Sequence, residues 1–380
     1  MAKDKLLKKI LFIVNVDWFF ISHRLPIALA AQKNGYSIHV ATQITNKYED
    51  LKKYGFVIHN LKIDRSSTSF VGSFKIFQEI LKIYKLLKPD IVHLVTIKPV
   101  IIGGLASYFV NYRQKIVMSI SGLGFIFISK GLKSKIRKYL ILFFYKLVFM
   151  HSHLKVIFQN KNDLNDLRVF TNISKNKIVL IPGSGVDLNV FKFDEIPSGE
   201  PIVLFPSRLL KSKGIYEFVA AAKILKNKAR FVIVGKHDIG NRDCIEMIEL
   251  KKWVGDGIVE FWGESNNMPY IFSQSSIVVL PSYREGFPKS LLEAAASGRV
   301  IITTDVPGCR ECIKNNITGY LVPPLDSFAI SNKVNHLLNK PDLIKTMGKK
   351  ARSLAEEKFD VNRVVLTHLE IYDSLIKENV

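Results

Sequence analysis

The sequence predicts an α/β protein of two domains, each a doubly wound parallel sheet. From residue 10 onward, short apolar runs alternate with amphipathic segments of helical period. After a Gly-, Ser- and Pro-bearing interruption the same alternation starts again at residue 201. Length agrees, since 380 residues, 48% of them hydrophobic, suffice for two cores of ordinary size.

Taken in order, ILFIVNV (10–16) reads as a first strand. NVDWFFISHR reads as the turn after it, LPIALAAQKNG as a helix closed by Gly35, and YSIHVAT as a second strand. FVIHNL is a strand, SFKIFQEILKIYKLLKP a helix stopped before Pro89, and DIVHLVT a strand whose far end carries Lys98 and Pro99. IIGGLASYFV follows as a helix, KIVMSISG and KVIFQ as strands, and KIVLIPGSGVD closes the first domain, 1–185. A linker at 186–200 leads to the second domain, 201–359. There PIVLFPS, ARFVIVG, IVEFWG, SIVVLPS and RVIITTD are strands separated by helices, with TGYLVP as a glycine-bearing turn. Two such domains are expected to face a cleft. A last helix, 360–380, begins after a break at Phe359 and Asp360 and can return to the first domain.

The charge is unevenly spread. Residues 1–190 hold 29 Lys and Arg against 10 Asp and Glu, a net +19, whereas residues 191–380 hold 26 against 23, a net +3, within a total of +22. Lysine is common in both halves, but only the second balances it. A generally lysine-rich composition therefore explains the excess less well than an anionic partner for the first half. Cys244, Cys309 and Cys312 show no metal-ligand spacing and read as packing residues of a reducing compartment. The N-terminal lysines and ILFIVNV imitate a secretory signal, but Asp17, His23 and Arg24 interrupt it. Tyr139 to Met150 is too short an apolar run to cross a bilayer as a helix.

Gly131 to Met150 is more apolar than one core-facing stripe requires. Leu132, Ile136, Tyr139, Leu140, Phe143 and Leu147 share a helical face, while Ile141, Leu142, Phe144, Val148 and Phe149 lie outside it. Lys130, Lys133, Lys135, Arg137 and Lys138 crowd its start. Two readings stand side by side: a helix whose spare face meets an anionic membrane surface, and a buried helix with a solvated basic end.

The densest chemistry lies in PSYREGFPKSLLEAAASG (281–298), where a buried-type strand runs into a loop and then a helix opened by Pro288. Glu285 falls in the loop and Glu293 two turns into the helix, so both can border the crevice at the carboxyl ends of the strands, where such sheets bind ligands. Glu293, set in LLEAAAS, is expected to be half-buried and paired. Upstream, Arg208 and Lys213 follow the strand 202–205, with Gly214 leading into a helix. A guanidinium, an ammonium and a helix amino end together suit a diphosphate. On the residues alone, Arg208 and Lys213 can also be an ordinary solvated basic loop, and Glu285 and Glu293 a glycoside-hydrolysing pair.

FPSRLLKSKG, PSYREGFPKSLLEAAASG and the later PG-REC-I-N--TGYLVPP together resemble the retaining glycosyltransferase family 4, of the two-domain, Rossmann-like GT-B fold. The likeness is tight from residue 201 to about 325 and looser before it, where HRLPIALA, TIKP and SGLG resemble members that build bacterial polysaccharides on lipid carriers. It implies that Arg208 and Lys213 hold the donor diphosphate and act in catalysis with Glu285. Glu285 and the amides of Gly286 and Phe287, in the loop ending at Pro288, would hold the donor sugar, Glu293 the ribose, and the loop at Gly263 and Glu264 would lie by the base.

The same resemblance implies retention of configuration, no metal and no cofactor, the nucleotide sugar being a substrate, and UDP as the nucleotide. The absence of an Asp-x-Asp is consistent with leaving-group stabilisation by Arg208, Lys213 and helix dipoles. Two departures lie on the acceptor side. NVDWFFISHR replaces a common Gly-Gly loop, and Ser121-Gly122 stands where many members have a histidine. The acceptor-side candidates are His23, Arg24, Lys98, Gly122 and Gly124.

The expected partners are a nucleotide-sugar donor, a polyprenyl-diphosphate-linked acceptor and the anionic inner membrane surface, with the chain cytoplasmic and peripherally attached. A nucleotide-sugar epimerase of the same fold lacks its acid/base histidines here. A basic scaffold binding nucleic acid or membrane lacks any zinc knuckle, RNP-type aromatic pattern or helix-turn-helix signal, so no nucleic-acid partner is expected.

Overall fold

A computed structural model describes residues 7–63, 70–112, 114–124, 131–241 and 243–377. The chain divides into two compact units, residues 1–184 with 363–380, and residues 185–362.

Unit 1 contains β1 (Lys8–Val16), α1 (Asp17–Lys33), β2 (Tyr36–Gln43), α2 (Tyr48–Lys53), β3 (Val57–Asn60), α3 (Phe70–Leu87) and β4 (Ile91–Val95). It continues through α4 (Ile97–Ala106), β5 (Lys115–Ile120), α5 (Leu132–Phe149), β6 (Leu154–Phe158), α6 (Lys161–Thr171) and β7 (Ile178–Leu180). The sheet order is β3-β2-β1-β4-β5-β6-β7 and every pair is parallel, so the order reverses between β1 and β4. Central strands buried on both faces explain the apolar run Ile10–Val14 of β1 and the burial of every residue of β4.

One face of this sheet is covered by α1 together with the last helix of the chain, whose Ile371, Tyr372 and Leu375 pack among Phe12, Phe20 and Ile27. The other face carries α3, α4 and α5. Beneath the last helix, His93 on β4 is fully buried. Its Nδ1 lies 2.7 Å from the Tyr372 hydroxyl and its Nε2 2.7 Å from Ser119 Oγ.

Burial holds the His93 imidazole well below its ordinary value and lowers His368 to about 3. Folded-state values below the unfolded ~6.5 mean that the stabilisation is complete above that pH. It is lost as pH falls from ~6.5 toward the folded values, because only the unfolded chain takes up the protons. The urea midpoint of unit 1 is therefore expected to drop between pH 7 and 4.5, at up to ~1.4 kcal/mol per pH unit for each histidine. A His368→Gln variant should show a shallower slope. An unchanged slope would contradict this assignment.

Unit 2 contains β8 (Ile202–Pro206), α7 (Ile215–Ile224), β9 (Arg230–Val234), α8 (Met247–Gly255), β10 (Glu260–Phe261), α9 (Met268–Ser273) and β11 (Ile277–Leu280). After these come α10 (Lys289–Ala296), β12 (Val300–Thr304), β13 (Gly319–Val322), α11 (Ser327–Leu338) and α12 (Pro341–Lys358). The last helix, α13 (Val361–Lys377), runs into unit 1. The sheet is again wholly parallel, in the order β10-β9-β8-β11-β12-β13, reversing between β8 and β11. Cys309 and Cys312 are fully buried, and burial pushes the Cys309 thiol up to about 12, as suits packing residues.

Arg299 is fully buried, and its hydrogen bonds run to backbone carbonyls. It donates to the carbonyls of Ser297 (2.9 Å), Ser275 (2.8 Å) and Asp194. Arg299→Ala leaves these acceptors without their donor and is expected to destabilise unit 2 by about 3 kcal/mol, read as a lowered Tm.

Four sequence expectations are corrected. The segment after β1 is no turn, because α1 begins directly at Asp17 and keeps Pro26 in its interior. Pro26 imitates a helix start, but Asp17 fixes the real one. Its buried carboxylate accepts from Thr45 N (2.7 Å), Thr45 Oγ1 (2.6 Å) and Lys47 N (3.0 Å), tying α1 to the loop after β2. His23 and Arg24 accordingly lie within α1 and Lys98 in the first turn of α4, not at strand ends. Pro288 is the cap of α10 rather than its first residue, so Glu293 stands one turn into the helix. In α5 the faces are exchanged. Leu142, Tyr145, Val148 and Phe149 are buried, whereas Leu132, Ile136, Tyr139, Leu140 and Phe143, the regular stripe, are exposed. Period alone identifies a stripe but not which side the sheet takes.

Candidate active site

In unit 2 the loops after β8 and β11 meet at the point where the strand order reverses, the place at which parallel sheets leave a crevice at their carboxyl ends. The loop after β8 is fixed from below. Leu209 and Leu210 are buried, and the amide of Leu209 donates to the carbonyl of Lys236 at 3.0 Å. Asp243 holds the next turn, accepting at Oδ2 from the Ser212 amide at 3.0 Å and from the Ser212 hydroxyl. Gly214, at φ +77°, follows; a Cβ there would run into the Pro281 carbonyl. Across that contact the Tyr283 amide donates to the Ser212 carbonyl at 2.9 Å, joining the two loops.

The joined loops bring the sequence-named charges together. Lys213 Nζ pairs with Glu285 Oε1, both side chains being largely buried, and Arg208 Nη1 donates to Asp238 Oδ2 at 2.6 Å. Glu285 is held through its own amide, which donates to the Pro307 carbonyl at 3.1 Å. Gly308, at φ +83°, lets the chain pass with only 2.5 Å between its Cβ position and the Glu285 carbonyl oxygen. The REC segment of the motif contributes Glu311, whose carboxylate accepts from the Gly308 amide at 2.8 Å. Phe287 is buried, edge-on to Phe359 with centroids 5.7 Å apart, and anchors the loop at its other side.

Glu293 Oε1 lies 3.4 Å from Lys289 Nζ. Burial raises its carboxyl above the ordinary range, and Lys289 opposes that shift. Gly263, at φ +77°, follows β10, two strands from β8, and its carbonyl accepts from the Gly235 amide at 2.8 Å, while Glu264 is exposed. An ammonium carries three donors and a guanidinium five, so Lys213 and Arg208 can each keep their carboxylate and still donate to phosphate oxygens. Asp238, which aims Arg208, and Asp243, which braces the Ser212 turn before Lys213, carry no motif spacing and are visible only once β9 places their loop beside β8.

Unit 1 assembles a second set of polar groups at the carboxyl ends of β1, β4 and β5. The β1–β2 register slips between Val14 and Val16, a bulge that presents Asn15, whose Oδ1 is buried without a partner. Thr96, at the start of α4, has φ +73°, strained for a β-branched residue, and its Oγ1 is likewise buried and unpartnered. Ser121 Oγ accepts from Arg24 Nη2 at 3.3 Å.

Arg24 is buried, pairs with no acid among the described residues, and has its guanidinium lowered to about 10 by burial. His23 stacks on Phe19 with centroids 4.0 Å apart, its Nδ1 2.5 Å from Ser22 Oγ. Gly122 and Gly124 both have positive φ. Lys98, Lys133, Arg137 and Gly122 line the same hollow as Asn15, Thr96 and Ser121, whereas Lys135 and Lys138 lie elsewhere on α5. Lys130 lies outside the described residues.

Two parallel-sheet, Rossmann-like units define the GT-B fold class, and a group 1 domain follows a 4-like domain in it. Residues 188–354 match the family of glycosyl transferases group 1 and residues 9–160 match glycosyl transferase 4-like, so the chain belongs to the glycosyltransferases. Along 94% of its length it is similar, at 29% identity, to 98% of the N,N'-diacetylbacillosaminyl-diphospho-undecaprenol α-1,3-N-acetylgalactosaminyltransferase of Campylobacter jejuni. Over 80% of its length it is similar, at 26% identity, to 81% of the UDP-Gal:α-D-GlcNAc-diphosphoundecaprenol α-1,3-galactosyltransferase of Escherichia coli. Anabaena HepE, solved in complex with UDP, shares the fold with a TM-score of 0.79 at 16% identity, over 97% of this chain and all of that one.

Proposed function

We propose that the chain transfers a hexose or N-acetylhexosamine from a UDP-sugar to a polyprenyl-diphosphate-linked glycan, with retention of anomeric configuration and without a metal, in the assembly of a bacterial surface glycan. The observation that carries this is the joined pair of loops at the reversal point of the unit 2 sheet, where Lys213 pairs with Glu285 across the loops and Arg208, on the same loop as Lys213, pairs with Asp238. Arg208 and Lys213 take the diphosphate and stabilise the charge it gains as the glycosidic bond breaks, in a partly buried setting where such donors act strongly. Glu285, positioned by Lys213, accepts from hydroxyls of the donor sugar with the Gly286 and Phe287 amides alongside. Glu293 accepts from the ribose, and the loop at Gly263 and Glu264 lies by the base. The acceptor class is supported by the diphospho-undecaprenol substrates in the names of the two relatives, and UDP by the name of one of them and by the HepE complex.

Among the described residues no helix is long and apolar enough to cross a membrane. The exposed stripe of α5, flanked by Lys133, Lys135, Arg137 and Lys138, supports peripheral attachment to the anionic inner surface of the cell membrane. Replacing Tyr139 and Phe143 together by Ser is expected to reduce sedimentation with phosphatidylglycerol vesicles at least tenfold while leaving UDP binding unchanged. Equal sedimentation of both proteins would argue against this attachment.

Transfer is tested with radiolabelled UDP-sugars and a panel of polyprenyl-diphosphate-linked glycans. The expected product carries the label on the lipid in the donor's anomeric configuration, in the presence of a chelator, and Glu285→Ala forms none. Label transfer by Glu285→Ala at the wild-type rate, or conversion of the donor sugar with no acceptor present, would refute the proposal.

A further inference from the structure

Between α3, α4 and α5, unit 1 holds a trough of about 810 Å³, near the upper end of the size range of small-molecule sites. Its walls are apolar along most of their length: Phe77 from α3, Ile101 and Leu105 from α4, Leu140 and Phe144 from α5. Its polar groups are gathered at one end. In a parallel sheet the helix following a strand starts at that strand's carboxyl end, so the amino ends of α4 and α5 both lie at the edge that carries Asn15, Thr96 and Ser121. Lys98 sits in the first turn of α4, and Lys133 and Arg137 in the first two turns of α5, all lining this end. Among the described residues no acidic side chain lines the trough.

We infer that this trough seats the first isoprenoid units of a polyprenyl diphosphate, with the diphosphate at its cationic end. The inference deepens the proposed acceptor class and rests on it. Four features of the molecule converge on this occupant. The trough is graded from apolar to cationic along its axis, as an isoprenoid diphosphate is graded from apolar to anionic. The two helix amino ends add partial positive charge where the anion sits.

Arg24 contributes from behind. Because Ser121 Oγ accepts from Arg24 Nη2, the Ser121 hydroxyl hydrogen must be directed elsewhere, and the trough end is lined by Ser121. The buried guanidinium, matched by no acid among the described residues, adds positive potential to the same place without touching the ligand, so Arg24 is a positioning residue. Asn15 and Thr96 line the same end, and their Oδ1 and Oγ1 are buried with no hydrogen-bond partner among the described residues, which leaves unused polar capacity there. A flat bilayer surface does not match a recess walled by three helices, which favours a single chain over the membrane itself.

The test uses the full-length protein and farnesyl diphosphate as a water-soluble probe, measured by isothermal titration beside inorganic diphosphate and farnesol. Farnesyl diphosphate is expected to bind at least tenfold tighter than either fragment. Leu140→Glu, which sets a carboxylate on a wall position already 41% exposed and so does not burden folding, should weaken it at least tenfold. Lys98→Ala should weaken farnesyl diphosphate and inorganic diphosphate by the same factor, because it acts on the head alone.

UDP affinity reports the integrity of unit 2 and should not change. Phosphatidylglycerol vesicle binding is expected to persist in Leu105→Trp, which blocks the trough and not the outer face of α5. Farnesyl diphosphate binding no tighter than inorganic diphosphate, or unaffected by both Leu140→Glu and Leu105→Trp, overturns the inference. If trough-dependent binding is found but no polyprenyl-linked glycan is glycosylated, the trough stands and the proposed acceptor falls. If transfer occurs with an indifferent trough, the reverse holds.

Discussion

Lys213→Ala is expected to lower kcat about 10²- to 10³-fold, the scale on which removal of one preorganised donor to a developing negative charge acts. Two effects add in this variant. The diphosphate loses an ammonium, and Glu285, largely buried, loses the cation that holds it. The second effect separates this variant from Arg208→Ala, in which the orphaned partner is Asp238, away from the sugar. A double-mutant cycle of Lys213→Ala with Glu285→Gln should therefore show coupling well above that of Arg208→Ala with Glu285→Gln, measured as kcat/KM on the same donor. Equal coupling in both cycles would mean that the Lys213–Glu285 contact has no part in positioning the acid.

Gly214→Ala is expected to be as damaging without removing any charge. The residue stands at φ +77°, and its Cβ would meet the Pro281 carbonyl, a backbone atom that cannot swing away as a side chain would. Strain at such a φ costs about 1–3 kcal/mol before any displacement of the β11 loop is counted. Since Tyr283 is bonded to Ser212 across this contact, moving the loops apart also moves Glu285 from Lys213. The measurable outcome is a lowered Tm together with at least a hundredfold loss of transfer. Gly263→Ala, at a similar φ but with nothing within 4 Å of the new methyl group, should lose far less.

The architecture was readable because buried parallel strands announce themselves. ILFIVNV, IVHLV, IVLFP and IVVL are too short and too apolar for anything else, and each is a strand. The donor-site charges were readable for a related reason, since they follow central strands in sequence and so must lie near their carboxyl ends. What failed depended on which of two locally equivalent options the tertiary structure takes. Pro26 is as compatible with a helix start as with a helix interior, and only the bonds of Asp17 to Thr45 and Lys47 decide between them. The apolar surface of α5 offers two faces, and the one that packs is chosen by Tyr145, Val148 and Phe149 against the sheet. Asp238 and Asp243 sit in a loop without any motif, and their role arises from strand neighbourhood alone. Asn15 and Thr96 matter through a bulge and a strained φ, neither of which has a sequence signature.

The central claim is that the β8 and β11 loops of unit 2 form a diphosphate grip with a sugar-facing acid beside it. The most direct measurement is equilibrium binding of UDP to the wild type, Arg208→Ala, Lys213→Ala and Glu285→Gln by isothermal titration. UDP affinity should fall at least tenfold in each cation variant and remain within twofold of wild type in Glu285→Gln, which should nevertheless have lost transfer. Undiminished UDP binding in Lys213→Ala and Arg208→Ala would contradict the account.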